Sequence, residues 1–343
     1  MNDSCTPVVS HVFEVTSHTL SAASVPIYGT AIFILAFRCP TTLGGTYRNL
    51  LLQHIILCIV MELHVNAVWQ LVVQIPQMSM CAFGIGGRIS IFMFISLVIL
   101  IVFVAISGYR LLDYRMKAVT TIEQSRMKYW NSLLMYISYF MCLVSSLTLF
   151  FAYPGMVNQT EYKLSIVKKF DEFPSFLWCD SCFFINIQLQ SVKIFAFTAM
   201  FTAIFGSIYC IVTPVISMIG LQSIEYTMSR KTIQLQRNFL WSLMFMTTVH
   251  VTFIAAPVVV YLLAHFIVIK EMWVSYILSI LLSQHGSGST FVLLTTNTAI
   301  TQIIRKICKR NWDVLKKLIC KIPPNQTVSK VSDLPSRRAT SVA

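Results

Sequence analysis

The chain has 343 residues, of which 56% are hydrophobic and only 11% charged, and its mean hydropathy is +0.71. Soluble domains carry about 25% charged residues, so both a water-soluble globular enzyme and an intrinsically disordered chain are excluded. The balance is basic, 26 Lys+Arg against 13 Asp+Glu for a net +13, and the placement of that excess carries the next step.

Charged residues are missing from seven long stretches, 15–37, 63–87, 89–109, 129–160, 194–224, 238–269 and 272–304. The second extends back to 49 if Glu62 is set aside. A bilayer core about 30 Å thick needs about 20 apolar residues as helix, and each gap supplies them. None shows the period-two alternation of a membrane β-barrel strand. The expected fold class is therefore an all-α membrane protein, a bundle of seven transmembrane helices near Thr16–Phe37, Leu50–Ile75, Ile85–Ile106, Trp130–Tyr153, Lys193–Ile219, Phe239–Ile269 and Trp273–Thr296. The expected organisation is an N-terminal segment 1–15, the bundle 16–300, an amphipathic membrane-surface helix 301–322 and a disordered tail 323–343.

Seven spans put the termini on opposite sides, and basic residues choose the sides. The connections after spans 1, 3 and 5 and the C-terminal tail hold 20 of the 26 Lys+Arg. The prediction is an N-terminus outside and a C-terminus inside, with the basic excess facing the anionic inner leaflet and no role in binding nucleic acid. Met1–Ser10 lacks the basic start of a cleavable signal peptide, so span 1 reads as a signal-anchor. Sequons at Asn2 and Asn158 then fall outside as glycosylation candidates, and a third at Asn325 falls inside. Of ten cysteines, Cys5, Cys81, Cys179 and Cys182 fall in outer segments, where disulfides are favoured. Cys81 with Cys179 would pin the long second outer loop and Cys5 with Cys182 the N-terminus, although four cysteines allow three pairings. Cys179-Asp-Ser-Cys182 lacks the βαβ context of a redox motif.

Several polar residues sit inside the predicted spans. His54, Cys58, Glu62 and Asn66 follow at i+4 steps in span 2, which places them on one stripe. An ionisable group in hydrocarbon is costly unless it faces the bundle, so the stripe points inward, as a packing network or as the anchor of a water or ion cluster. Span 7 carries Gln284, His285, Gly286 and Ser287–Thr290 in its middle, small and hydroxylated residues suited to close helix contact. His250 and Pro257 lie in span 6, where the proline frees the carbonyl of Phe253 and makes a candidate hinge. Pro26 and Pro214 do the same in spans 1 and 5.

Span 7 holds no lysine, which excludes a retinal-binding opsin. No zincin, nucleophile-elbow or P-loop motif is present, so no enzymatic activity, metal or cofactor is expected. In Gln302–Ile322 the apolar residues Ile303, Ile304, Ile307, Val314, Leu315, Leu318 and Ile319 share one helical face and lysines and Arg310 the remainder, the pattern of a helix on the inner leaflet. Cys308 and Cys320 are palmitoylation candidates there.

A bundle of this topology with short inner loops resembles a G-protein-coupled receptor. Pro26-Ile-Tyr-Gly29 followed by Phe37-Arg-Cys-Pro40 is similar to the opening of nematode serpentine chemoreceptors. His285-Gly286-x-x-Ser289-Thr290 resembles the span 7 motif of their class H, and Leu51-Leu52 with Glu62 is similar to the Leu-Leu…Asp of their span 2. Class I is the neighbouring alternative. Two stretches depart from the pattern. Gly108-Tyr109-Arg110 stands where the family often has Glu-Asn-Arg, and Ala299-Ile300-Thr301 where Pro-Tyr-Arg usually closes span 7.

The resemblance implies a chemosensory receptor in the plasma membrane, by family habit in the cilia of sensory neurons. A small-molecule ligand would bind in the outer half of the bundle under the 154–192 loop and shift its population. A heterotrimeric G protein would engage the inner ends of spans 3, 5 and 6. Arg110 is the candidate coupling hinge, with Arg115, Lys117, Arg230, Lys231 and Arg237 as a solvated basic rim. The oligomeric state stays open. A ligand-gated channel of the insect odorant-receptor kind would invert the topology against the charge count. A secondary transporter would want internal repeats and several midplane charges, whereas Glu62 is the lone charge within a span core.

Overall fold

In the computed structural model, the described residues are 10–319 apart from 39–43, 75–78, 83, 85–88, 120–124, 158, 169–174, 187, 224–225, 227, 265–266 and 268–270. Hydrocarbon offers no partner to a backbone amide, so a spanning segment has to satisfy its own hydrogen bonds as helix. Among the described residues, seven helices are long and apolar enough to do so: His11–Phe37, Gly45–Trp69, Ser90–Ala118, Lys128–Val157, Gln190–Ser223, Arg230–Leu263 and Trp273–Thr296. The chain divides into two compact units, Met1–Thr301 and Gln302–Ala343.

Spans 1, 3 and 4 are the helices α1 (His11–Phe37), α3 (Ser90–Val119) and α4 (Ser125–Val157), and span 5 is α6 (Gln190–Ser223). Span 2 begins as α2 (Gly45–Leu63) and finishes as a π-helical turn, His64–Trp69. Span 6 is α7 (Arg230–His250), a π segment Val251–Ala255 and α8 (Ala256–Leu263). It starts nine residues before the expected Phe239, because Ser229 caps it by accepting the amide proton of Thr232 at 3.2 Å. Span 7 is α9 (Met272–Thr296).

Large apolar side chains, among them Phe33, Phe103, Phe140, Phe150 and Ile211, are exposed along the helices, as a lipid-facing surface requires. Between helices the glue is small and polar. Spans 4 and 5 are joined by Thr148–Thr198 hydroxyls at 2.8 Å, by Thr202 donating to the Met141 carbonyl at 3.1 Å and by Thr213 donating to Asn131 at 2.8 Å. Span 7 packs against spans 1, 2 and 6 and is the most buried of the seven.

One part of the charge-free run 63–87 is not helix. Gln70 takes a left-handed conformation, φ 52°, which ends span 2, and Leu71–Gln74, with the β-branched Val72 and Val73 at its centre, continues as strand β1. It pairs antiparallel with β2 (Ser79–Ala82), and β2 pairs antiparallel with β3 (Cys182–Phe184). This three-stranded sheet, order β1-β2-β3, lies at the end of the bundle where spans 1, 3 and 7 begin, and adds a small β element to the helical architecture. Val73 donates its amide to Ser279 at 3.2 Å and so ties the sheet to span 7. Trp69, fully buried, stacks on Phe183 at 6.4 Å, and Phe94 meets Phe183 at 5.3 Å.

The sheet also corrects the expected disulfide pairing. Cys81 faces Cys182 in the β2–β3 register and is bonded to it, so neither Cys81–Cys179 nor Cys5–Cys182 forms. Cys179 is itself disulfide-bonded. Cys5, Asn2, Asn158 and Cys320 lie outside the described residues.

The second unit contributes most of α10 (Thr298–Ile319). Cys308 is exposed on it.

Candidate functional site

Two sites share the bundle interior. The first is polar. Tyr28 of span 1 donates its hydroxyl proton to Glu62 at 2.6 Å, and both are buried. One turn back along span 2 is Cys58, and one turn further His54. His54 Nδ1 lies 2.6 Å from the Ser107 hydroxyl of span 3, and its Nε2 lies 2.9 Å from His250 Nε2 of span 6 and 3.7 Å from Cys58 Sγ. His285 of span 7 is fully buried, with its ring 5.8 Å from that of His250. Gln284 is buried beside it in sequence and accepts the Ser287 hydroxyl at 3.0 Å.

The cluster closes this tightly because span 7 has no side chain at Gly286. A Cβ there would collide with the Tyr28 hydroxyl and would stand 2.8 Å from Cys58 Cβ and 3.3 Å from the Cys58 carbonyl oxygen. The glycine of the His-Gly motif therefore sets the distance between span 7 and spans 1 and 2.

Asn66, the fourth member of the predicted stripe, is only half-buried. The π turn at His64–Trp69 explains the shift. Its wider turn breaks the i+4 register, so Val65 and Trp69 take the inward positions.

The second site is a cavity of about 210 Å³. Its walls come from spans 3, 4, 5, 6 and 7, its roof from Leu71 and Val73 of β1, Met80 of β2 and Ile185 beyond β3. Apolar side chains such as Ile101, Ala105, Phe195, Val258 and Leu278 dominate the lining. Among its few polar groups are His250, Thr247, Thr202 and Tyr261. Span 6 edges the cavity where its regular hydrogen bonding is interrupted: the π segment follows His250, and Pro257 lines the wall. Proline supplies no amide proton to Phe253, and a π turn absorbs the mismatch. At the base, Tyr109 is buried against Tyr209 at 5.1 Å and Tyr139 at 6.0 Å, with its hydroxyl filling the space left by Gly206.

At the end of the bundle away from the sheet, the two arginines of span 3 sit in opposite environments, and Arg115 is not part of a solvated rim. Arg110 is exposed. Arg115 is 5% exposed, with its guanidinium 3.6 Å from the Tyr47 ring of span 2 and 4.4 Å from the Phe239 ring of span 6. Its Nε and one Nη have no hydrogen-bond partner among the described residues. The sequence signal that could have found it is the pair of aromatic residues at the corresponding depth of spans 2 and 6, which nothing in span 3 announces.

Above the cavity, the short helix α5 (Gln159–Val167) carries Lys163, buried and donating to the Cys179 carbonyl at 3.1 Å. Burial pulls its ammonium down to about 8, and nearby Asp180 opposes part of that. Gln159 brackets β3, accepting the Phe184 amide at 2.8 Å and donating to the Phe184 carbonyl at 3.1 Å.

Seven membrane-length helices around an internal cavity define a multi-pass membrane protein of the seven-helix receptor type. Comparison with known families narrows this: residues 9–310 match the family described as serpentine type 7TM GPCR chemoreceptor Srh. The chain belongs to that family, the class H of the span 7 motif. No curated protein and no solved structure matched the chain.

Proposed function

We propose that the protein is a chemosensory receptor whose cavity takes a small, mostly apolar molecule, and that occupancy is passed to a heterotrimeric G protein. One observation carries the reading: an apolar cavity abuts span 6 at its π segment and Pro257. A bound molecule there would favour one arrangement of span 6 over another by its differential contacts. His250 is the natural polar anchor, since its Nδ1 has no partner among the described residues.

At the far end, Arg115 between Tyr47 and Phe239 would hold spans 2, 3 and 6 together in the resting state. A desolvated cation–π contact is worth about 2 kcal/mol, a size that ligand binding can overcome. Release of Phe239 would open the surface for the G protein, with exposed Arg110 available on span 3. In this reading the sheet end is extracellular and the C-terminal end cytoplasmic, in the plasma membrane. α10 lies on the inner leaflet with Cys308 available for palmitoylation.

The test is a G-protein reporter assay in cells expressing the full chain, screened against volatile and water-soluble panels. Ala105→Phe, which fills the cavity, serves as the matched control. The reading expects responses to apolar compounds that Ala105→Phe loses at unchanged surface level. Equal responses from the filled variant would overturn the cavity as the ligand site.

A further inference from the structure

We propose that His54, Cys58 and His250 form a binding site for a single soft metal ion, copper(I) or zinc(II), that clamps span 2 to span 6. The donor atoms Nε2 of His54, Sγ of Cys58 and a ring nitrogen of His250 all lie within 4.8 Å of one another. Two of the separations are 2.9 Å (His54–His250) and 3.7 Å (His54–Cys58). With metal–nitrogen bonds near 2.0–2.1 Å and metal–sulfur bonds near 2.3 Å, tetrahedral angles put nitrogen pairs about 3.3 Å apart and nitrogen–sulfur pairs about 3.6 Å apart. The two separations from His54 need shifts of only a few tenths of an ångström to reach those values, and the Cys58–His250 pair, within 4.8 Å, closes by at most about 1.2 Å.

The supporting contacts favour a ligand role for His54. Ser107 directs its own proton to the Val104 carbonyl at 2.7 Å, so at 2.6 Å it accepts the Nδ1 proton of His54. That fixes the tautomer and leaves the Nε2 lone pair facing Cys58 and His250, the way an outer hydrogen bond orients a metal-bound imidazole. Without an ion, His250 Nε2–H donates into that lone pair. With one, the Cys58 thiol loses its proton to solvent and becomes the thiolate ligand. The His250 proton moves from Nε2 to its unpartnered Nδ1.

Ligand type selects the ion. Two imidazoles and a thiolate suit copper(I) and zinc(II) over magnesium or calcium. Net charge favours copper(I) within the bundle, where uncompensated charge is costly: one thiolate neutralises a monovalent ion, whereas zinc(II) leaves one positive charge for Glu62, one turn along span 2, to balance.

The test uses the purified full chain in detergent, loaded anaerobically with copper(I) or with zinc(II), freed of excess metal and assayed by mass spectrometry. The expected result is about one retained ion per chain that Cys58→Ser and His250→Asn lose, and an affinity about ten- to a hundredfold lower in Ser107→Ala. Cysteine alkylation of the wild type provides a second reading that needs no variant to fold. Metal should protect Cys58 while leaving Cys308 reactive. A wild type that holds no more metal than Cys58→Ser, or whose Cys58 alkylates equally with and without metal, overturns the proposal. No odorant or G protein enters the assay, so its result is independent of the receptor reading.

Discussion

The polar cluster and the apolar cavity meet at His250, and they are built on opposite terms. In the cluster, spans 1, 2, 3, 6 and 7 come together through short polar contacts, and the space is set by the absent side chain of Gly286. In the cavity, spans 3, 4, 5, 6 and 7 leave an open space among mostly apolar side chains. Close packing makes a region intolerant of added volume, while an open apolar space accepts it. The contrast assigns rigidity to one half of the bundle and adaptability to the other, with span 6 shared between them.

The sharpest way to break this contrast is to add volume on each side. Gly286→Val is expected to abolish surface expression, because overpacking a tight core costs about 1–3 kcal/mol and here meets a backbone oxygen as well. Ala105→Phe should leave surface expression intact while removing ligand responses, so comparable surface loss in both variants would erase the distinction. A smaller effect is expected at Tyr28→Phe, which strips the Glu62 carboxylate of a buried donor at a cost of about 1–3 kcal/mol. A fall in detergent melting temperature would register it, and an unchanged value would mean that Glu62 finds water instead.

Arg115→Leu removes two ring contacts at the far end and should raise basal reporter signalling several-fold, while Arg110→Leu leaves it unchanged. The reverse pattern would return the coupling role to Arg110.

The smallest effect belongs to Lys163. Its folded-state value of about 8 lies below the ordinary 10.5, so between those pH values the unfolded chain binds more protons and the fold gains stability as pH rises. The melting temperature should therefore rise from about pH 8 to about pH 10 in the wild type, with that increment missing in Lys163→Met. An identical slope in both would place the titration elsewhere.

The spans were legible because bilayer solvation writes itself into the sequence as charge-free length, and span 7, expected at Trp273–Thr296, falls within one residue of the helix Met272–Thr296. The sheet was not, since Leu71–Gln74 is as apolar as the helix before it and the left-handed Gln70 leaves no compositional mark. Cys81 could be assigned to a disulfide but not to a partner, because the choice between Cys179 and Cys182 rests on strand register. The inward stripe of span 2 was readable as far as Glu62, and the π turn then displaced Asn66. The approach of His54 to His250 crosses 196 positions of sequence, beyond any spacing rule for metal ligands. Arg115 was hidden for a related reason: a cation near a helix end reads as solvated until the rings that cover it are located.

The Cys81–Cys182 bond joins residues 101 positions apart, and spans 3 and 4 lie between them. At synthesis rates of about 5–20 residues per second, Cys81 waits roughly 5–20 s on the ribosome-bound chain before its partner exists. The roof of the cavity thus cannot be closed until two further helices, spans 3 and 4, have been made. Expression in a reducing translation system should yield inserted chain that lacks this closure.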